Sequence, residues 1–370
     1  MKNPRRSPDP SSSLRVAYFT SMDLPSSKAH ALQIMETCTA LTHLGVEVHL
    51  VVSSLQGNPT ELWKWYGVEP VPKALHIIPL AQKRKALPFL LSQKAKLAYT
   101  RSTRWARFLL SSRWLHGTPV VFETHRKSLY HRRDLETGQG KARNREVSRL
   151  EEIFQMADGV VCAHGTTWSS LKGRGVKSLL LWYGWTHQGL ISRGPWWKVG
   201  YASFKEKESI LEAVKLVPGL ELHIFGSSEE EEMKLGDSKV VFHPLMPHRE
   251  LMKNLASTGI MVSLDEGLKL ADYLSLGGAI VAPELPSTQE ILGKSALYFS
   301  FGSAPSLAEA LKRIKESPHL FETLKKASVT RSEKYRWPHK ALKLKEFLQD
   351  LVNQKATRVP LFPRASRGRL

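Results

Sequence analysis

Residues 263–290, SLDEGLKLADYLSLGGAIVAPELPSTQE, place potentially reactive side chains beside the signals of a helix start. The pattern predicts a polar loop, a short helix carrying Lys269 and Asp272, a Gly277-Gly278 stop, an apolar run at 279–282 and a proline-marked loop ending at Glu290. A helix starting just after Gly267 leaves backbone N–H groups unpaired, which is a ready seat for a phosphate, with Lys269 and Asp272 one turn further in. A solvated i, i+3 charge pair without chemical consequence would show the same spacing. His125 is a second candidate. The apolar run 119–122 delivers Glu123, Thr124 and His125 at its end, and strand ends are where open α/β sheets bind ligands, although a lone histidine is more often structural. In the loop 21–28, Ser26, Ser27 and Lys28 would let backbone and one cation approach a phosphate, or would form an ordinary polar loop. That loop lacks the GxGxxG dinucleotide fingerprint.

Such residues need strands and helices to hold them, and the pattern supplies two blocks of both. Residues 14–20 read as a strand, Leu32, Ile34, Met35, Cys38, Leu41 and Leu44 as the apolar positions of a helix stopped at Gly45, and 46–52 as the next strand. This is about the length of a right-handed parallel crossover. Strands at 75–80, 119–122, 159–162 and 178–182 and a helix at 146–156 complete the first block. The second runs through strands 199–203, 220–225, 240–242, 260–263, 279–282 and 297–299, with helices at 207–216, 248–255, 306–316, 320–328 and 338–352. The expected fold is α/β, two doubly wound Rossmann-like domains facing a cleft. Expected boundaries are a disordered basic lead-in at 1–13, an N-terminal domain at 14–185, a linker at 186–197, a C-terminal domain at 198–336, a last helix at 337–354 and a basic tail at 355–370. No internal sequence repeat stands out.

The formal charge of +20 points to an anionic partner: nucleic acid, a phosphorylated small molecule, or an acidic membrane. Between 83 and 133 the only acidic residue is Glu123, while Arg101, Arg104 and Arg107 recur among Leu, Phe and Trp. That composition suits a helix lying on an anionic bilayer, or equally a sheet-packed helix with a basic outer face. Nucleic acid ranks third, because no groove-reading motif accompanies the charge. Cys38 and Cys162 sit in apolar segments without CxxC or Cys/His spacing, so they read as buried thiols of a reducing compartment, and no disulfide and no zinc site is expected. No signal-peptide core follows the N-terminus, and no uncharged apolar run reaches the ~18 residues of a membrane span. The expected location is cytoplasmic, with peripheral contact to the inner membrane.

Six ordered segments carry a resemblance: SSKAHALQIMETCTALTHLGVEVHLV, LAYTRS, VVFETH, LEEIFQMADGVVCAH, KLADYLSLGGAIVAPELPSTQEIL and EKYRWPHKA. Together, over about 14–352, they resemble the family 4 glycosyltransferases, retaining enzymes of the GT-B fold. The resemblance implies that the last helix returns to the first domain. It also implies transfer of a sugar from an NDP-sugar, without metal or other cofactor, to a glycan or lipid-linked acceptor in bacterial envelope polysaccharide synthesis. In that frame His125 lies at the reaction centre, and Lys207 or Lys205 neutralises the donor diphosphate. Ser27, Lys28, Gly226, Glu266, Gly267, Leu268, Lys269 and Asp272 bind the donor, with Asp272 on the ribose. The chain has no DxD triplet, in keeping with metal-independent chemistry. It departs from the family at Asp272, where glutamate is usual, and at Ser203, where an arginine is usual. These departures support an alternative, a degenerate GT-B protein that binds nucleotide, glycan or a partner without turnover. A GT-B epimerase would need further acid/base carboxylates in the cleft.

Overall fold

The computed structural model describes residues 14–26, 28–80, 82–92, 95–125, 140–182, 184, 190–203, 206–228, 230–264 and 269–357. Five predicted site residues, Ser27, Lys205, Glu266, Gly267 and Leu268, lie outside the described residues.

In chain order the strands are β1 (Arg15–Phe19), β2 (Asp23–Leu24), β3 (Glu47–Val52), β4 (Ser54–Leu55), β5 (Leu75–Pro79), β6 (Leu97–Thr100), β7 (Val120–Thr124), β8 (Gly159–Cys162) and β9 (Ser178–Leu180). The second half adds β10 (Lys198–Tyr201), β11 (Glu221–Ser227), β12 (Glu231–Leu235), β13 (Ser238–Pro244), β14 (Ile260–Val262), β15 (Ala279–Pro283) and β16 (Ala296–Phe299). They form two seven-stranded sheets, ordered β5-β3-β1-β6-β7-β8-β9 and β12-β13-β11-β10-β14-β15-β16, with β2 and β4 as a separate pair. Only the β12–β13 pairing is antiparallel among the described strands. Strand order reverses between β1 and β6 and again between β10 and β14, and the crevice beyond the carboxyl ends at such switch points is where doubly wound sheets bind ligands.

Apolar strands such as β15 are buried at every position, as expected when helices cover both faces of a parallel sheet. The last helix, Trp337–Thr357, belongs to the first sheet's core. Leu344, Leu348 and Leu351 recur at helical spacing and pack with Val16, Tyr18 and Val48. Burying each leucine contributes on the order of 1.5–3 kcal/mol. Before the second sheet the chain presses close to its own backbone. A Cβ on Gly194 would stand 2.2 Å from the Thr258 carbonyl carbon, and one on Gly259 would stand 2.3 Å from the Pro195 oxygen, so glycine is required at both.

Strand pairing also exposes a similarity that the linear pattern hides. RVAY at the start of β1 lies beside EVHLV of β3 as KVGY of β10 lies beside ELHIF of β11. Arg15 meets Glu47 at 2.8 Å and Lys198 meets Glu221 at 3.3 Å. His49 and His223 each bond the glutamate two residues earlier, at 2.8 and 2.9 Å. A few charged positions spread over some thirty residues give no repeat signal until the sheet brings them together.

Candidate functional site

The apolar residues Val120, Val121 and Phe122 bury β7 in the first sheet, and the polar residues after them emerge at its carboxyl end. Glu123 is the hub there. One carboxylate oxygen, Oε2, accepts hydrogen bonds from the Tyr18 hydroxyl of β1 at 3.2 Å and the Tyr99 hydroxyl of β6 at 3.0 Å. The other, Oε1, accepts from His125 Nε2 at 2.5 Å. Burial alone would raise the Glu123 pKa, but His125 and Arg101 with the donated hydrogen bonds outweigh it, so the carboxyl is held well below its usual range. For His125, burial lowers the pKa, Glu123 offsets part of this, and Arg101 and Lys340 push it down further. The lowered pKa favours the neutral imidazole, with Nε2 turned to Glu123. Burial and the Glu123 charge raise both tyrosines, so they stay protonated as donors.

Beside this hub begins the helix Ala29–His43. Arg101 donates from Nη1 to the His30 carbonyl at 3.4 Å, and burial, Arg101, Lys28 and His125 all lower the His30 pKa. The charge pattern of the sequence groups Arg101 with Arg104 and Arg107, but the structure separates them. Arg104 and Arg107 are exposed on the helix Thr103–Ser111, which buries Trp105, Ala106, Leu109 and Leu110 and ends at Ser112, before the short helix Arg113–His116. Arg101 lies instead in the turn before that helix, close enough to act on Glu123 and His125. Cations gathered around a helix start suit an anionic ligand.

In the second half, the helix Lys269–Leu276 is tied to the strand ends by Tyr273, whose hydroxyl donates to the Val262 carbonyl at 3.1 Å and accepts from the Ala202 N–H at 3.0 Å. This fixes Asp272. His248, the first residue of the helix His248–Ala256, holds Asp272 Oδ2 at 3.1 Å. Burial works against charge on His248, but Asp272 and Glu36 prevail and its pKa is raised. Lys207 opens the helix Lys207–Lys215 with Nζ 5.7 Å from the Phe242 ring centre, and Lys269 Nζ lies 5.8 Å from that of Tyr201. Gly226 takes φ 104° at a bulge between Phe225 and Ser227, with nothing within 4 Å of a Cβ there, so its backbone conformation rather than crowding calls for glycine. Lys28 is exposed just before the helix Ala29–His43.

Glu36 joins the two clusters. Buried in the helix Ala29–His43, it accepts from Trp337 Nε1 at 2.9 Å and acts electrostatically on both Lys340 and His248. Lys340 is 5% exposed, and its Nζ has no hydrogen-bond partner among the described residues and stands 4.9 Å from the Trp337 ring centre. Burial drives its pKa well below the ordinary lysine value, against the pull of Glu123 and Glu36. Sequence spacing gives no hint of Glu36, His248 or Lys340, because each comes from a different helix.

No protein-family model and no curated protein matches the chain. Solved structures do resemble it in shape. A sucrose-phosphate synthase from Thermosynechococcus elongatus is similar over 92% of this chain and 100% of its own, with a TM-score of 0.69 and 16% identity. HepE of Anabaena in complex with UDP is similar over 91% of this chain and 100% of its own, at TM-score 0.65 and 12% identity. WaaG, a glycosyltransferase involved in lipopolysaccharide biosynthesis, is similar over 89% of this chain and 99% of its own, at TM-score 0.60 and 12% identity. At these identities the likeness establishes the GT-B fold, and a fold alone does not determine an activity.

Proposed function

We propose that the protein is a retaining glycosyltransferase that moves a sugar from an NDP-sugar to a glycan or lipid-linked acceptor of the bacterial envelope. The observation that carries this reading is the electrostatic linking of Glu123–His125 and His248–Asp272 through Lys340 and Glu36 in a GT-B fold. The donor rests on the second half, where Asp272, oriented by His248, accepts the ribose hydroxyls. Lys207 neutralises the diphosphate, a role proposed also for Lys205 and residues 267–268, which lie outside the described residues, and His125 contacts the transferred sugar. As the bond from the anomeric carbon to the diphosphate oxygen breaks, the acceptor oxygen bonds that carbon from the same face. The acceptor's proton passes to the departing diphosphate. Lysines and helix amides stabilise the growing negative charge, so the scheme calls on no metal ion.

A second reading, a binding protein without turnover, draws support from Asp272 being already engaged by His248 and from Ser203 bringing no cation. Melting temperatures across a panel of nucleotide sugars, starting with the UDP-glucose bound in a HepE structure, followed by donor hydrolysis and transfer assays, separate the two. A ligand at a hundred times its Kd adds about 2.7 kcal/mol of stability. Turnover that falls sharply in Lys207→Ala supports transfer. Tight binding with no turnover on any donor supports the second reading, and no response to any nucleotide sinks both.

The acceptor side is proposed to meet the anionic inner face of a membrane. Trp114 is 82% exposed, Leu91 59% and Leu115 48%, on the touching helices Ala86–Ser92 and Arg113–His116, next in sequence to the helix that carries Arg104 and Arg107. No helix among the described residues is long and apolar enough to cross a bilayer, so the proposed contact is peripheral. Near an anionic surface each arginine contributes roughly 1 kcal/mol. Co-flotation with vesicles containing phosphatidylglycerol is therefore expected to weaken about thirtyfold, by about 2 kcal/mol, in Arg104→Glu/Arg107→Glu. Equal flotation with purely zwitterionic vesicles would count against the contact.

A further inference from the structure

We propose that Glu47, His49 and His76 form a divalent-metal site of the zinc type at the amino-terminal edge of the first sheet, the end opposite the cleft. Glu47 and His49 alternate onto one face of β3, and the parallel register sets His76 of β5 directly beside His49. Their three donor atoms all lie within 4.8 Å of one another, the one such group of three among the described residues. Glu47 Oε1 stands 2.8 Å from His49 Nε2 and 3.9 Å from His76 Nε2. Donors on a tetrahedral zinc with bonds of about 2.0–2.1 Å are spaced about 3.3 Å apart, so small side-chain rotations would close the site. Two histidines and a carboxylate are a ligand set that zinc uses with a water in the fourth position.

The surroundings fit a ligand role. Arg15 Nε holds the other oxygen, Glu47 Oε2, at 2.8 Å, which orients the carboxylate and leaves Oε1 to the metal. Among the described residues the buried His49 makes its one hydrogen bond to Glu47, and its Nδ1 has no partner. His76, with its side chain 42% exposed, gives the ion access from solvent. The matching place in the second half shows the difference. There Lys198 and His223 both meet the same oxygen, Glu221 Oε1, and His223 spends its remaining nitrogen on His243 at 2.9 Å. There the cation sits on the same oxygen as the histidine, whereas in the first cluster Arg15 takes Oε2 and leaves Oε1 to His49 and His76. Because β5 is the sheet's edge strand, a metal here would staple that edge to β3 and, through Arg15, to β1.

The test uses the full chain stripped with a chelator and titrated with Zn²⁺ and, for its visible spectrum, with Co²⁺. Expected are one equivalent bound at micromolar Kd or tighter, a Co²⁺ absorption of four-coordinate strength, and a raised melting temperature. His76→Ala, at an exposed position, and Glu47→Gln should each weaken binding at least tenfold, while His223→Ala leaves it unchanged. Binding absent at millimolar metal, or undiminished in His76→Ala, overturns the proposal.

Discussion

Replacing His125 by alanine is expected to lower the turnover of whichever nucleotide sugar binds by two to three orders of magnitude. Removing one preorganised polar group from a water-poor reaction centre costs roughly 3–4 kcal/mol of transition-state stabilisation. The fold should tolerate the change, because Glu123 keeps the hydroxyls of Tyr18 and Tyr99. The pH profile supplies a second check. Burial depresses the His125 pKa, so the neutral ring is present above that value and lost as pH falls through it, which puts the acid limb of activity below the ordinary histidine value of about 6.5. The Glu123 charge raises the same pKa, so Glu123→Gln should move the acid limb to still lower pH. Turnover unaffected by His125→Ala would remove His125 from the reaction centre.

Replacing Lys340 by methionine is expected to make the protein more stable, by about 1–4 kcal/mol at neutral pH. Methionine fills nearly the same space, and exchanging a buried ionisable group for a well-packed apolar one is often stabilising by that amount. Among the described residues Lys340 has no hydrogen bond to lose from Nζ. The effect should depend on pH with a definite sign. A lysine whose folded-state pKa is depressed leaves the unfolded chain binding more protons between the folded and unfolded values, so stability rises with pH across that window. The gap between Lys340→Met and wild type should therefore be widest below the depressed pKa and close as pH approaches about 10.4. Denaturant midpoints measured across pH would show it. A destabilised Lys340→Met would mean that the amine makes a favourable contact in the native state.

The core of the fold can be read from the residues, since mainly apolar runs mark β1, β3, β7 and β15 to within a residue or two. Strand β12 cannot be read in this way. Four consecutive glutamates at 229–232 read as a solvated charge run, yet the chain turns at Gly236 with φ 61° and pairs Glu231–Leu235 with β13 as an exposed edge, where Glu232 meets Lys239 at 2.8 Å. The helix Pro59–Tyr66 carries Asn58 as its cap, proline at its start and a left-handed Gly67 at its end, signals that outweigh its weak apolar pattern. In the site, His125 is legible because a strand end marks it. Lys340 is not, because Lys340, Lys343 and Lys345 look alike in sequence and only packing decides their fates. Lys340 is buried, Lys343 exposed, and Lys345 reaches the Leu44 carbonyl at 2.8 Å. Arg101 shows the same limit, since charge spacing groups it with the outer arginines while the turn after β6 carries it inward.

The bond between Trp337 and Glu36 spans 301 residues of chain, and the leucines beyond Trp337 complete the first sheet's core. On the ribosome this makes the beginning of the protein wait for its end. At ~5–20 residues per second, the interval between the synthesis of β7 and that of Leu351 is on the order of 10–50 s. Through that interval the nascent chain shows the apolar surface that Leu344, Leu348 and Leu351 later cover. A ribosome stalled before residue 337 would thus present an amino-terminal half with an uncovered flank, a natural client for a chaperone and a ready substrate for a protease.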